Sequence, residues 1–140
     1  MNLHFKHKAA GWIPWWSAAV GAMDACTGLL LIFAPEFTLK LMKLSVPAEV
    51  LPYQSWIGAF VLSTGLAYGW AIRQPANERE RGARETIWKM TALVRTVIAL
   101  FLTTKILTGS LSAGWATVAA TDAVVAVVQW VALKRRWLDA

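Results

Sequence analysis

The sequence predicts an all-α integral membrane protein, a four-helix bundle with a short amphipathic helix at the membrane surface. Of its 140 residues 57% are hydrophobic, and the mean hydropathy is +0.47, which is more apolar than soluble domains usually are. Four long apolar runs recur, each about 22 residues, enough for a helix to cross a hydrocarbon core of about 30 Å. We therefore expect residues 1–140 to form a single transmembrane domain.

The four runs set the expected membrane spans. They are residues 12–34, 51–72, 86–108 and 113–133. Basic residues precede the first run, as in a signal peptide. However, the run continues to Pro35, too long for a cleavable segment, so we expect it to be retained as a helix.

The segment PEFTLKLMKLSVPAEVLP joins the first two spans and is too short to cross the membrane. Its apolar side chains alternate with Lys40 and Lys43, and it is bounded by Pro35 and Pro47. This pattern predicts a short amphipathic helix that lies on the outer membrane surface.

Lysine and arginine predict the orientation. Ten of them lie in the N-terminal arm, the middle loop up to Lys89 and the C-terminal tail, whereas the other side carries only Lys40 and Lys43. By the positive-inside rule, both termini and the middle loop are cytoplasmic. The nine tryptophans mostly fall near the ends of the spans, where indole rings prefer to lie.

Four ionisable side chains lie within the predicted spans: Asp24, Arg95, Lys105 and Asp122. Lys105 is close enough to the end of its span to extend its ammonium group to the surface. Each of the other three costs about 2.5–3.5 kcal/mol to insert alone, so we expect them to compensate one another. Arg95 can serve one carboxylate or bridge both. If it serves one, desolvation favours the protonated form of the other.

Small residues recur on the same helix faces as these charges, which predicts close helix packing around them. The glycines expected to pack are Gly21, Gly28, Gly58, Gly65 and Gly69. The candidate members of an intramembrane cluster or ligand site are Asp24, Arg95, Asp122, Thr64, Tyr68 and Gln129.

Several kinds of site are not expected. The chain has no glycine-rich phosphate loop and no Cys or His set with metal-ligand spacing; His4 and His7 lie in the N-terminal arm, and His7 is flanked by Lys6 and Lys8. No catalytic residue and no metal site are therefore predicted, and Cys26 is expected to be a packed thiol. Because the basic residues flank apolar spans, nucleic acid is not an expected partner. No cofactor is predicted; the sequence is compatible with a bound lipid or quinone.

Four stretches resemble the DoxX-like group of small four-helix bacterial membrane proteins, including its uncharacterised branches. They are LLLIFAPEFTLKLM, GAFVLSTGLAY, LVRTVIALF and TDAVVAVVQWVAL, and the resemblance covers about residues 22–133. It implies a four-helix architecture in a bacterial inner membrane and, for some members, an association with quinone-linked electron transfer or with soluble redox partners. It implies no catalytic residue.

Three functions compete. We favour a small non-catalytic subunit of a larger inner-membrane complex, energy-converting or transporting, with membrane lipids and other membrane subunits or further copies of itself as partners. The alternative is a protein that binds or converts a lipid, quinone or sterol-like molecule, with one carboxylic acid of the Asp24–Arg95–Asp122 cluster available as a general acid. A proton-coupled exporter of cations is disfavoured, because Arg95 would repel its cargo. The cluster also suits a purely structural role.

Overall fold

The computed structural model describes residues 11–73 and 78–139. No β-strand occurs in these ranges, so the predicted all-α class is confirmed. The helices are α1 (Ile13–Phe33), α2 (Pro35–Leu41), α3 (Leu51–Arg73), α4 (Glu78–Leu107) and α5 (Ala116–Lys134). Short 3₁₀ turns lie at Ala48–Val50, Ala113–Trp115 and Trp137–Asp139. The N-terminal arm, with His4, Lys6, His7 and Lys8, and the loop residues 74–77 lie outside the described residues.

Four helical segments in the described ranges are long and apolar enough to cross a membrane. They are Ile13–Phe33, Ala48–Arg73, Gly82–Leu107 and Ala113–Lys134. The chain is therefore a multi-pass membrane protein. Helix α4 begins at Glu78, earlier than the expected start near residue 86, because Glu and Arg in its polar first turns favour helix.

The chain divides into two compact units. The first unit is Trp15–Arg73 and contains most of α1 together with α2 and α3. The second unit combines the residues up to Pro14 with those from Gln74 onward, and so contains α4 and α5.

In the first unit, α1 and α3 cross through two reciprocal glycine pairs. A Cβ added to Gly28 would lie 2.8 Å from the carbonyl oxygen of Gly58, and one added to Gly58 would lie 2.8 Å from that of Gly28. Gly21 and Gly65 form the second pair. A Cβ added to Gly21 would lie 3.0 Å from the carbonyl oxygen of Gly65, and one added to Gly65 would lie 2.7 Å from that of Gly21. Each glycine thus points an α-hydrogen at a carbonyl of the facing helix, a weak Cα–H···O contact. The neighbouring backbone leaves no room for a side chain.

Gly69 does not belong to this crossing, contrary to the prediction. It is exposed, and a Cβ added there would meet no atom within 4 Å. The side chain of Tyr68 supplies the contact at this end of α3, since its Cβ lies 2.8 Å from the position of a Cβ on Gly21. The packing repeat on α3 therefore runs from Gly58 to Gly65.

Helix α2 is the predicted short helix between the first two spans. Its buried face carries Thr38 and Leu39 and contacts α3, whereas Phe37 and Leu41 are exposed. Its location at the membrane surface stays a prediction.

An exposed ion pair joins Glu36 to Lys40 across one turn of α2, with 2.8 Å between Oε1 and Nζ. Lys40 lowers the pKa of the Glu36 carboxyl, first through this hydrogen bond and then through its positive charge. The resulting stabilisation is present above the carboxyl's unfolded pKa and is lost as the pH falls through the lowered value. Such exposed pairs contribute little to stability.

In the second unit, α4 and α5 form a helical hairpin. Helix α4 ends in a Schellman motif: Gly109, with φ of 71°, donates to the Ile106 carbonyl, and Ser110 donates to that of Lys105. A short connection then leads into the turn Ala113–Trp115 and helix α5. The reversal places the inward face of α4 against that of α5.

Gly65→Ala should lower the free energy of unfolding by about 1–3 kcal/mol, because the new methyl group would meet backbone atoms that cannot move aside. Gly69→Ala is the matched control on the same helix; its methyl group would meet no atom and alanine favours helix, so it should leave the free energy of unfolding unchanged or raise it by up to about 1 kcal/mol. Reversible denaturation in mixed micelles measures both. Equal effects of the two substitutions would contradict the glycine-paired crossing.

Candidate functional site

The second unit contains a buried ion pair between its two long helices. Arg95 on α4 donates from Nη1 to Oδ1 of Asp122 on α5. The exposed fraction of the Arg95 side chain is 4%, and that of Asp122 is 12%. At a rise of about 1.5 Å per residue, Asp122 lies about 9 Å beyond the start of α5, and Arg95 lies about 18 Å before the end of α4. Both charges are therefore well inside the apolar part of the hairpin.

A second polar contact lies further along the same interface. The amide of Gln129 donates from Nε2 to Oγ1 of Thr91 over 2.8 Å, and it lies 3.5 Å from the carbonyl oxygen of Trp88. Gln129 is fully buried, as is Trp88. The Thr91 hydroxyl donates to backbone carbonyls of its own helix, so its oxygen accepts from Gln129 with a free lone pair.

Helical periodicity explains why these four residues meet. Thr91 and Arg95 are one turn apart on α4, and Asp122 and Gln129 are two turns apart on α5, so each pair shares a helix face. Thr91 lies opposite Gln129, and the long Arg95 side chain reaches the more distant Asp122. We call Thr91, Arg95, Asp122 and Gln129 the polar seam of the hairpin.

Trp130 adds a contact at the edge of the hairpin. Its Nε1 donates to Oγ1 of Thr96 over 3.0 Å, while 42% of the residue stays exposed. Thr96 in turn donates to the carbonyl of Ala92. Trp130 is one of the tryptophans expected near the ends of the spans, and neither Thr91 nor Thr96 is among the predicted site residues. Thr91 could have been identified from the sequence, because it lies one helical turn before Arg95 and therefore on the same face of α4.

The other predicted site residues lie in the first unit. Asp24 is buried in α1, and Tyr68 is fully buried in α3, where its ring meets that of Trp16 edge-on at 6.5 Å between centroids. Thr64 is half-buried, and its hydroxyl donates to the Phe60 carbonyl over 3.1 Å. The hydroxyl proton of Thr64 is therefore used in a hydrogen bond within its own helix. The sharing of Arg95 between Asp24 and Asp122 stays a prediction.

The chemistry of the polar seam is that of charge neutralisation and hydrogen bonding. Arg95 supplies the counter-charge that makes an ionised Asp122 tolerable in an apolar hairpin. Among the described residues, no group of three or more His, Cys, Asp or Glu side chains is placed to hold a metal ion.

Comparison with protein-family models, with curated proteins and with solved structures finds no match to this chain. The resemblance to the DoxX-like group therefore stays a prediction made from the sequence.

Removing either half of the ion pair should be strongly destabilising. Arg95→Met and Asp122→Leu should each lower the free energy of unfolding by about 3–5 kcal/mol, because each leaves the other charge without this counter-charge. In the double variant no charge is left behind, so it should lower the free energy of unfolding by less than either single substitution does.

Lys105→Met combined with Asp122→Leu provides the control, because Lys105 is exposed on the same helix and its effect should simply add. Equilibrium unfolding in bilayer-mimicking micelles measures the free energy of unfolding of each single and double variant. Additive effects of the Arg95 and Asp122 substitutions would show that their contact contributes nothing to folding.

Proposed function

We propose that this protein is a small non-catalytic integral membrane subunit of a larger inner-membrane complex, energy-converting or transporting, which it stabilises or docks. The observation that carries this proposal is the internal pairing of the polar seam. Arg95 and Asp122, the two most costly side chains of the second unit, bind each other inside the hairpin. Such a pair suits a structural element that holds two helices together.

The outward faces of the same helices support a role in assembly. They carry large apolar side chains with more than half of their surface exposed, among them Leu100, Phe101, Val124 and Val127. Lipid or the helices of another subunit can cover such faces equally well, since both are apolar. Binding through these faces leaves the ion pair intact.

Both termini of the subunit are cytoplasmic in this proposal. The rings of Trp12, before the first span, and Trp137, after the fourth, meet edge-on with centroids 5.8 Å apart. This contact supports placing both chain ends on one side of the membrane. The guanidinium of Arg135 lies 6.0 Å from the Trp137 ring centre, and neighbouring aromatic and basic side chains are typical of a cytoplasmic interface.

Reporter fusions test this orientation. Alkaline phosphatase fused after Ala140 should be inactive in a bacterial host, because the enzyme folds only outside the cytoplasm. The same enzyme inserted at Ser110, in the exposed turn between α4 and α5, should be active. The reverse pattern would invert the proposed topology.

The subunit role predicts stoichiometric companions. The full chain, extracted from its native membrane in a mild polymer and examined by mass spectrometry, should carry other membrane proteins in fixed ratio. The double variant Arg95→Met, Asp122→Leu should retain them, because it leaves neither charge behind and both positions lie inside the hairpin, away from the docking faces.

A protein that instead travels alone with a lipid or quinone, and loses it in the same double variant, would overturn the subunit role. That outcome would support the alternative, a membrane protein that binds or converts such a molecule. Recovery of the protein alone, with neither companion nor ligand, would contradict both functions.

A further inference from the structure

The chain turns sharply where α5 ends. Arg136 has a φ of 53°, a left-handed conformation that glycine usually occupies at the position after a helix and that residues with a side chain disfavour. Its backbone N–H donates to the Leu133 carbonyl over 3.1 Å, which closes the turn. Residues held in such conformations cluster at functional sites. An arginine at a position suited to glycine therefore indicates a use for its charge.

The residues after this turn fold back onto the hairpin. The 3₁₀ turn Trp137–Asp139 contacts both α4 and α5, and Leu138 is buried. The Trp137 ring meets that of Trp12 edge-on, and the Arg135 guanidinium lies 6.0 Å from the Trp137 ring centre. The basic residues before Trp137 are therefore held in place at the end of α5.

Three consecutive cations lie on this turn, Lys134, Arg135 and Arg136, which we call the basic turn. All three are exposed, and none forms an ion pair with a carboxylate of the described residues. Glu85, in the early part of α4, is paired with Lys89 at 2.6 Å. The three positive charges outweigh the negative charge of about one half that the carbonyl end of a helix carries. The basic turn therefore presents net positive charge at the end of a membrane span.

An apolar stripe runs along α5 to the basic turn. Val124, Val127 and Val131 recur on one face at three- and four-residue steps, and Arg135 follows one turn after Val131. The exposed fractions of the three valines are 63%, 60% and 38%. An apolar stripe that ends in cations matches a molecule with hydrocarbon chains and an anionic head. A free phosphate ion or an acidic peptide would use the cations alone.

We propose that the basic turn binds the phosphate of an anionic phospholipid whose acyl chains lie along the valine stripe. The two guanidinium groups can each donate a pair of parallel N–H bonds to phosphate oxygens, and Lys134 adds a third positive charge. Each cation near an anionic lipid surface strengthens binding about fivefold. The site does not depend on the subunit role, because a phospholipid can lie beside a lone bundle or at the rim of an interface between subunits.

Native mass spectrometry of the full chain in a mild non-ionic detergent tests the site. The protein is titrated with phosphatidylglycerol and, in parallel, with phosphatidylcholine that has the same acyl chains. The parent should bind its first phosphatidylglycerol more tightly than its first phosphatidylcholine. Arg136→Gly should weaken the binding of phosphatidylglycerol about fivefold and leave that of phosphatidylcholine unchanged. A parent without this preference, or a variant with the parent's affinity, overturns the site.

Thermal unfolding of the same variant separates lipid binding from folding. Glycine is relaxed at a φ of 53°, so without added lipid Arg136→Gly should melt at the temperature of the parent or higher. A lower melting temperature would show that the arginine supports the turn itself, and would overturn its assignment as a lipid ligand.

Lys43→Gly is the matched control. Lys43 is the other described non-glycine residue with a left-handed φ, 57°, and it follows α2, away from the basic turn. The substitution makes the same exchange of a cation for glycine, so it should leave the affinity for phosphatidylglycerol unchanged. An equal loss in both variants would show a general attraction between charges and would overturn the site.

Glycerol 3-phosphate, a phospholipid head without acyl chains, tests the contribution of the valine stripe. An excess of it should leave phosphatidylglycerol bound, because it makes no contact with Val124, Val127 and Val131. Displacement of the lipid would assign the basic turn to free anions and would overturn the phospholipid site.

Discussion

A charge inside hydrocarbon must find its counter-charge within the protein, and the second unit depends on this constraint. Arg95 and Asp122 neutralise each other's charge, and they can make this contact only if α4 and α5 lie antiparallel in one register. The Schellman motif around Gly109 reverses the chain, and the contact of Gln129 with Thr91 agrees with the same register. Local turn geometry and long-range electrostatics thus specify one hairpin.

The first unit reaches close packing by different means. Its helices approach until backbone meets backbone, and the contacts at Gly21, Gly28, Gly58 and Gly65 involve carbonyl oxygens. Dispersion and weak Cα–H···O contacts accumulate over such a crossing, although each is small. The two units therefore illustrate two ways of joining helices where the hydrophobic effect gives no net drive, since lipid tails are as apolar as the side chains.

The sequence was sufficient for the fold class and for the approximate positions of the long helices, because apolar length alone determines what can cross a membrane. Periodicity also placed Asp122 and Gln129 on one face of α5. It could not show that Gly69 lies outside the crossing, because that depends on where the Tyr68 side chain falls. Nor could it show that Thr96 pairs with Trp130, since such a contact depends on side-chain reach across two helices.

The glycine crossing has a consequence for how relatives of this chain can be recognised. Lipid accepts almost any apolar side chain, so the outward faces of α1 and α3 are free to diverge over evolutionary time. The two glycine spacings are not free to diverge in this way, because each of the four glycines faces a main-chain atom of the opposite helix. Two successive membrane helices, each with glycines seven residues apart as in Gly21–Gly28 and Gly58–Gly65, are therefore a more durable signature of this hairpin than overall sequence identity.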